Sequence, residues 1–381
     1  MNIRVAGLRC PRSFLLLLPL LLPVCARPFL RPPPAMFPRS DSSGSQPPLI
    51  RVKSAELVAP LLSASWTGVR DVGHSGVIDG KIIWTFGDTI SKDKDGNMTG
   101  LAPNTAAYGD WMLWTSSSYE RQLDDNDRPN QFVPYTQEEY NFWKDSNWAG
   151  DHRIGIWVSN VVQTGPGEGI AFYDKSSILT ESLENIKRIG TGVAKVYAKD
   201  EGPIADRVHD IIFDAQTDPS WGCFTTYKED DYIYAFGEWT ADKNVYLSRV
   251  AVADVFSKDK YEYWNGQTWQ SQSLTLPDEA AKVFWNIQSG TIWKSNHHAG
   301  KYVMLYMTNW ADDTLRMMWS DSITGPWNIE NQVQVMKLPS CENSFNYCGY
   351  AHPQFGDDSE LLVSWTSPQS GQVQLGKITF E

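Results

Sequence analysis

The chain has 381 residues, 41% of them hydrophobic and 20% charged, which is globular composition and excludes a disordered or fibrous chain. Lys and Arg number 33 against 45 Asp and Glu, for a net charge of −12. An acidic balance of this size argues against a partner that is nucleic acid or an anionic membrane surface.

The N-terminus reads as an export signal. Arg4, Arg9 and Arg12 form a cationic start, and Phe14 to Val24 is an apolar stretch too short to span a bilayer and interrupted by two prolines. Val24-Cys25-Ala26 places small residues at the expected cleavage positions. Residues 27–49 are rich in Pro and Ser and read as an extended lead-in. The expected division is therefore a signal peptide at 1–26, a disordered lead-in at 27–49 and one domain at 50–381. The mature chain is expected to be secreted, off the membrane and monomeric.

Asn97-Met98-Thr99 is an N-glycosylation sequon placed after the polar turn Lys92 to Gly96. Cys10 and Cys25 leave with the signal. Of the remaining three, Cys341 and Cys348 are expected to close a short disulfide loop, with Cys223 an unpaired thiol in a strand.

Most of the body alternates apolar and polar residues in short runs ended by Gly, Asp or Asn, which is strand patterning. One hairpin unit recurs. The first copy runs from Asp71 through the turn Asp79-Gly80 to Phe86-Gly87-Asp88. The second aligns without a gap, from Trp221 through Asp230-Asp231 to Phe236-Gly237-Glu238. A third passes through Ala299-Gly300, a fourth through Asp357-Asp358, and a weaker one lies between Ile154 and Tyr173. One hairpin cannot bury its own face, so five repeats point to a radial array. The expected fold is an all-β, five-bladed β-propeller; a β-sandwich is the rival. Short helices are expected at Thr136–Asp145 and Glu181–Arg188.

A propeller gathers the starts of its innermost strands around a central funnel. Asp71 opens the first repeat where the second has Trp221, and Asp88 ends the partner strand at the place Glu238 holds in the second copy. Two carboxylates at one cleft are the minimum for glycosidic cleavage: one protonates the leaving oxygen, the other activates water or attacks carbon. The catalytic candidates are Asp71 and Asp88, expected as solvated acids whose change to Asn leaves stability intact. His74, His209, Trp221, Glu238, Asn286, Gln288 and His352 are the substrate-binding candidates, and Trp285 and Trp310 could stack on sugar rings. No H-E-x-x-H, clustered Cys/His, G-x-S-x-G or phosphate-loop pattern occurs, so neither a metal nor a cofactor is expected.

Arg70-Asp71-x-Gly73-x-Ser75 followed by Trp84-x-Phe86-Gly87-Asp88-Thr89 resembles the opening signature of the family catalogued as domain of unknown function 4185. Trp221-Gly222, Ser289-Gly290 and Ala351-His352-Pro353-Gln354 are similar to its later blades, and the likeness covers about residues 60 to 378. The resemblance implies a five-bladed propeller and an endo-D-arabinanase-like activity (glycoside hydrolase family 183). It also implies that Asp71 and Asp88 match the family's pair of aspartates. The expected partner is a furanose-containing polysaccharide. The alternatives are a carbohydrate-binding propeller without catalysis and a structural wall or adhesion protein with a plugged funnel.

Overall fold

The computed structural model describes residues 49–109, 117–118, 123–124, 127–144, 153–179, 185–309, 312–327, 329–341, 344–357 and 359–381. The signal peptide, nearly all of the lead-in, and Trp310 lie outside them. Strands dominate, and they form five sheets arranged as the blades of a β-propeller.

The hairpin repeats are the blade cores. Blade I pairs Gly68–Ile78 with Lys81–Lys92, and blade II pairs Arg153–Gly165 with Glu168–Ile178. Blade III pairs Thr225–Glu229 with Tyr232–Trp239, and blade IV pairs Ile287–Ser295 with Lys301–Thr308. Blade V pairs Tyr347–His352 with Glu360–Ser367. The five innermost strands contact one another in sequence, and the fifth contacts the first, which closes the ring. Asp79-Gly80 has positive φ at both residues, the backbone of a tight two-residue hairpin between Ile78 and Lys81, and Ala299-Gly300 has positive φ at the end of the five-residue loop between Ser295 and Lys301.

Five separate apolar clusters hold the blades together, one at each seam. The second strand of blade IV shows why its sequence is apolar almost throughout. Val303, Leu305 and Met307 pack toward blade V, while Tyr302, Met304 and Tyr306 pack toward blade III. Side chains alternate across a strand, so a strand buried on both faces has no polar side to show. The ring is latched by Val52–Pro60, which pairs with Gln372–Phe380 as the outermost strand of blade V.

Blade I places two short strands, Met98–Ala102 and Thr105–Tyr108, against the same partner. Two sequence expectations are corrected. Residues 186–188 begin the strand Ile186–Lys199 rather than ending a helix, because they pair with Ser176–Ile178. Cys341 and Cys348 are separate thiols. Cys341 Sγ turns to Asn346 Oδ1 (3.2 Å) and Ser367 Oγ (3.5 Å), while Cys348 joins the wall of the central pocket, so no bridge forms between them. The expected helix near residue 136 is present as Gln137–Lys144; Thr136 donates its backbone N–H to Glu139, and its hydroxyl accepts the Glu139 N–H, a capping box. Asn97 sits on an exposed turn, where its amide bonds the Asp93 carboxylate.

Candidate functional site

A pocket of about 750 Å³, counted with its open mouth, lies where all five blades converge. Its wall takes Val72 and His74 from blade I, Trp157, Val158 and Asp174 from blade II, and Gln288 and Ser289 from blade IV. Blade III supplies Glu238 and Thr240, the segment before it gives Ser220, Cys223 and Phe224, and blade V contributes Cys348. The mix of apolar wall with a few polar groups is that of a ligand-binding cleft.

Two carboxylates face this pocket. Asp174 is 7% exposed, with Arg188 Nε 3.3 Å from its Oδ2. Burial pushes its carboxyl up to about 6 against the pull of Arg188, and the charge of Glu238 pushes the same way. Glu238 is paired with Lys243 at 3.0 Å. Their position in the chain has a common origin. Phe172-Tyr173-Asp174 lies within the second strand of blade II at the place that Phe86-Gly87-Asp88 holds within that of blade I and Phe236-Gly237-Glu238 near the end of that of blade III. Blades I, II and III thus place an acid at one repeated position. Asp174 escaped the sequence reading because its repeat copy is weak and carries Tyr where the others carry Gly.

Asp71 and Asp88 lie together, but neither lines the pocket. Asp88 is 1% exposed, and Arg153, itself buried, donates two hydrogen bonds to it, at 2.9 and 2.6 Å. Asp71 is 3% exposed and accepts the Tyr347 hydroxyl on Oδ2 at 3.0 Å, while its Oδ1 has no hydrogen-bond partner. Gly87 makes room for it: a Cβ there would stand 2.3 Å from Asp71 Oδ1. Burial first, then the charge of Asp88, drives the Asp71 carboxyl well above the usual carboxylate range, against Tyr347 and Arg153. The expectation of two solvated acids is therefore corrected. These are a buried pair, one ion-paired and one pressed toward its protonated form.

Among the other sequence candidates, His74, Glu238 and Gln288 line the pocket. Burial holds the His74 imidazole down at about 3, so it stays neutral, and its Nδ1 is unpartnered. Asn286, two residues before Gln288 in the chain, is partly buried and does not line the pocket. Trp221 is 1% exposed in the seam of blades II and III, where it is packing rather than a sugar contact. His352 is fully buried, between Ser75 Oγ (2.6 Å) and Ser364 Oγ (2.8 Å), and ties blade V to blade I. His209 is exposed and does not line the pocket. Among the described residues no three His, Cys, Asp or Glu side chains converge as a metal site.

Several solved structures are similar to most of the chain. A putative hydrolase from Bacteroides ovatus superposes with a TM-score of 0.58 at 16% identity, covering 83% of this chain and 87% of that one. A GH43_1 enzyme from Xanthomonas citri, complexed with xylose, gives 0.47 at 12% identity over 85% and 90%. An alpha-L-arabinofuranosidase from Podospora anserina, in complex with cellotriose, gives 0.42 at 12% identity over 88% and 98%. No curated protein sequence matches the chain. Residues 190–373 match the model of the family described as domain of unknown function, DUF4185, the family that the opening motif of blade I resembles.

Proposed function

We propose that the protein is a secreted glycoside hydrolase that cleaves a furanose-containing polysaccharide, with Asp71 and Asp88 as its carboxylate pair. The observation that carries this reading is the opposed environments of the two acids. Arg153 ion-pairs with one, and burial first, then the charge of that neighbour, presses the other toward the protonated form. Such a split is what acid and base roles in glycoside hydrolysis require. Asp71 is then the proton donor to the leaving oxygen, and Asp88 the charge that keeps Asp71 protonated and the partner carboxylate once a sugar ring reaches the pair.

A second reading assigns the same chemistry to Asp174 and Glu238. It is favoured by reach, because both line the pocket, whereas a sugar must displace the Tyr347 hydroxyl or open the strand ends to meet Asp71.

The test is reducing-end release from a panel of arabinans, galactofuranans and mannans by protein collected from a secreting host. Asp71→Asn lowers turnover at least about a hundredfold under the first reading, and Asp174→Asn does so under the second. Retention of the polymers without any release from wild type would leave a carbohydrate-binding propeller and refute hydrolysis.

A further inference from the structure

The pocket wall continues outward along the ends of blades III and IV. Glu238 and Thr240 belong to the hairpin that joins Tyr232–Trp239 to Asn244–Ala251. The short strand Phe284–Trp285 then pairs with the beginning of Asn244–Ala251. Trp239, Asn244 and Trp285 consequently lie in register across three adjacent strands, with Trp285 outermost. Two strand spacings put it about 10 Å, roughly two sugar rings, outward of the Trp239 strand end.

Phe284 is buried in the seam of blades III and IV, so alternation turns Trp285 to the other face, where it is 57% exposed. It is the one tryptophan among the exposed large hydrophobic residues of the described chain. The next residue, Asn286, holds left-handed backbone with φ 57°. Its N–H donates to the Lys243 carbonyl at 3.1 Å, and its own carbonyl accepts the Asn309 N–H at 3.2 Å. That conformation is costly for a residue other than Gly, and two backbone bonds from neighbouring blades hold it.

Between Trp285 and the pocket runs a set of unpartnered polar atoms: Asn286 Nδ2, Asn309 Nδ2, Thr308 Oγ1 and Gln288 Oε1. Gln288 and Thr308 are more than nine-tenths buried, and Gln288 faces the pocket. Thr308 ends the second strand of blade IV, the place that carries an acid in blades I to III. The set offers two amide donors, a hydroxyl and a carbonyl, with no charge, which matches sugar hydroxyls rather than a phosphate or carboxylate.

We infer that Trp285 and this uncharged run form a saccharide subsite outside the pocket, in which a neutral ring of the bound chain stacks on the indole. The carbohydrate identity of the ligand rests on the hydrolase reading above. The subsite adds that the ligand is a chain of several units, held at the pocket and again at Trp285.

Affinity electrophoresis of the full chain in gels containing arabinan or galactofuranan tests binding without requiring turnover. Trp285→Ala should weaken retardation about tenfold in Kd, equal to ~1.4 kcal/mol and within the range of aromatic stacking. Trp285→Phe should keep most of the affinity, and Tyr232→Ala, an exposed aromatic outside the subsite, should run as wild type. If wild type is retarded and Trp285→Ala is retarded equally, the subsite is overturned while the hydrolase reading stands. If neither gel retards wild type, the subsite is overturned, while the hydrolase reading is decided separately by the release assay.

Discussion

Asp88→Asn and Asp71→Asn, two changes of identical chemistry on one strand pair, should move stability in different directions. The Asp88 and Arg153 side chains are 1% and 2% exposed. Removing the carboxylate leaves a buried guanidinium facing a neutral amide, and breaking such a pair from one side costs about 3–5 kcal/mol. Unfolding entropy of about 2.1 cal/mol/K per residue over a domain of roughly 330 residues converts this to a Tm lower by about 4–7 °C. Asp71 is the opposite case. Its folded-state carboxyl is raised, so its contribution to stability is present below the ordinary carboxylate value and is lost as pH rises toward the folded one. Asn mimics the protonated form, so Asp71→Asn should equal wild type near pH 4 and match or exceed it at pH 7. Calorimetry or urea titration at both pH values measures this. An Asp88→Asn protein that melts with wild type, or an Asp71→Asn protein that falls as far as Asp88→Asn at pH 7, would refute the assignment of one ion-paired and one pressed acid. The double variant Asp88→Leu with Arg153→Met should recover much of the loss, because it removes both charges together.

Asp174, raised to about 6, contributes stability that is lost as pH rises from the carboxylate range through 6; Asp174→Asn should remove that slope from a plot of urea midpoint against pH. If Asp174 donates the proton in hydrolysis, the rate should fall above about pH 6, and an unchanged profile in a variant that retains activity would exclude it. Glu139 bonds Arg207 and Lys175 and is held down at about 2 despite burial, so Glu139→Gln should cost roughly 2 kcal/mol at pH 7 and progressively less as acid titrates the wild type through that value. Equal loss at pH 7 and pH 2 would show that packing, not charge, is at stake. Denatured mature protein should react with three equivalents of thiol reagent without prior reduction, and reductant should leave Tm unchanged.

The fold was readable because its period is long and its turns are local. The pairs Asp79-Gly80 and Ala299-Gly300 announce hairpins by residue type alone. The gapless match of Phe86-Gly87-Asp88 with Phe236-Gly237-Glu238 announces that the hairpins are copies. The site was less readable, because propeller chemistry depends on which copy faces the axis and on what stands behind it. Nothing within the strand around Asp88 foretells Arg153, 65 positions later, or Tyr347, 276 positions from Asp71. His352 and Trp221 share composition with sugar-binding residues, but the seams took them for packing. The proximity of Cys341 and Cys348 in sequence concealed that one lies in a loop and the other on the funnel wall.

The repeat also explains where chemistry can reside. Blades II and III bring this position of the second strand to the pocket wall, as Asp174 and Glu238, whereas in blade I it lies behind the wall as Asp88. A symmetric ring of acids there would be mutually repulsive and poorly solvated. This chain uses the position three different ways: Asp88 is neutralised by Arg153, Asp174 is only loosely held by Arg188, and Glu238 is paired with Lys243 at the pocket edge. Blade IV replaces the acid with Thr308, which turns that side of the funnel uncharged and leads toward Trp285. The charge asymmetry gives the cavity a direction: an acidic side suited to proton transfer, and a neutral, hydroxyl- and amide-lined side suited to leading a sugar chain away from it. Thr308→Asp would extend the acidic arc into the neutral side. It should weaken retardation by arabinan, with a lower Tm as well because Thr308 is buried; undiminished retardation of the folded variant would argue that the neutral side plays no part in holding the chain.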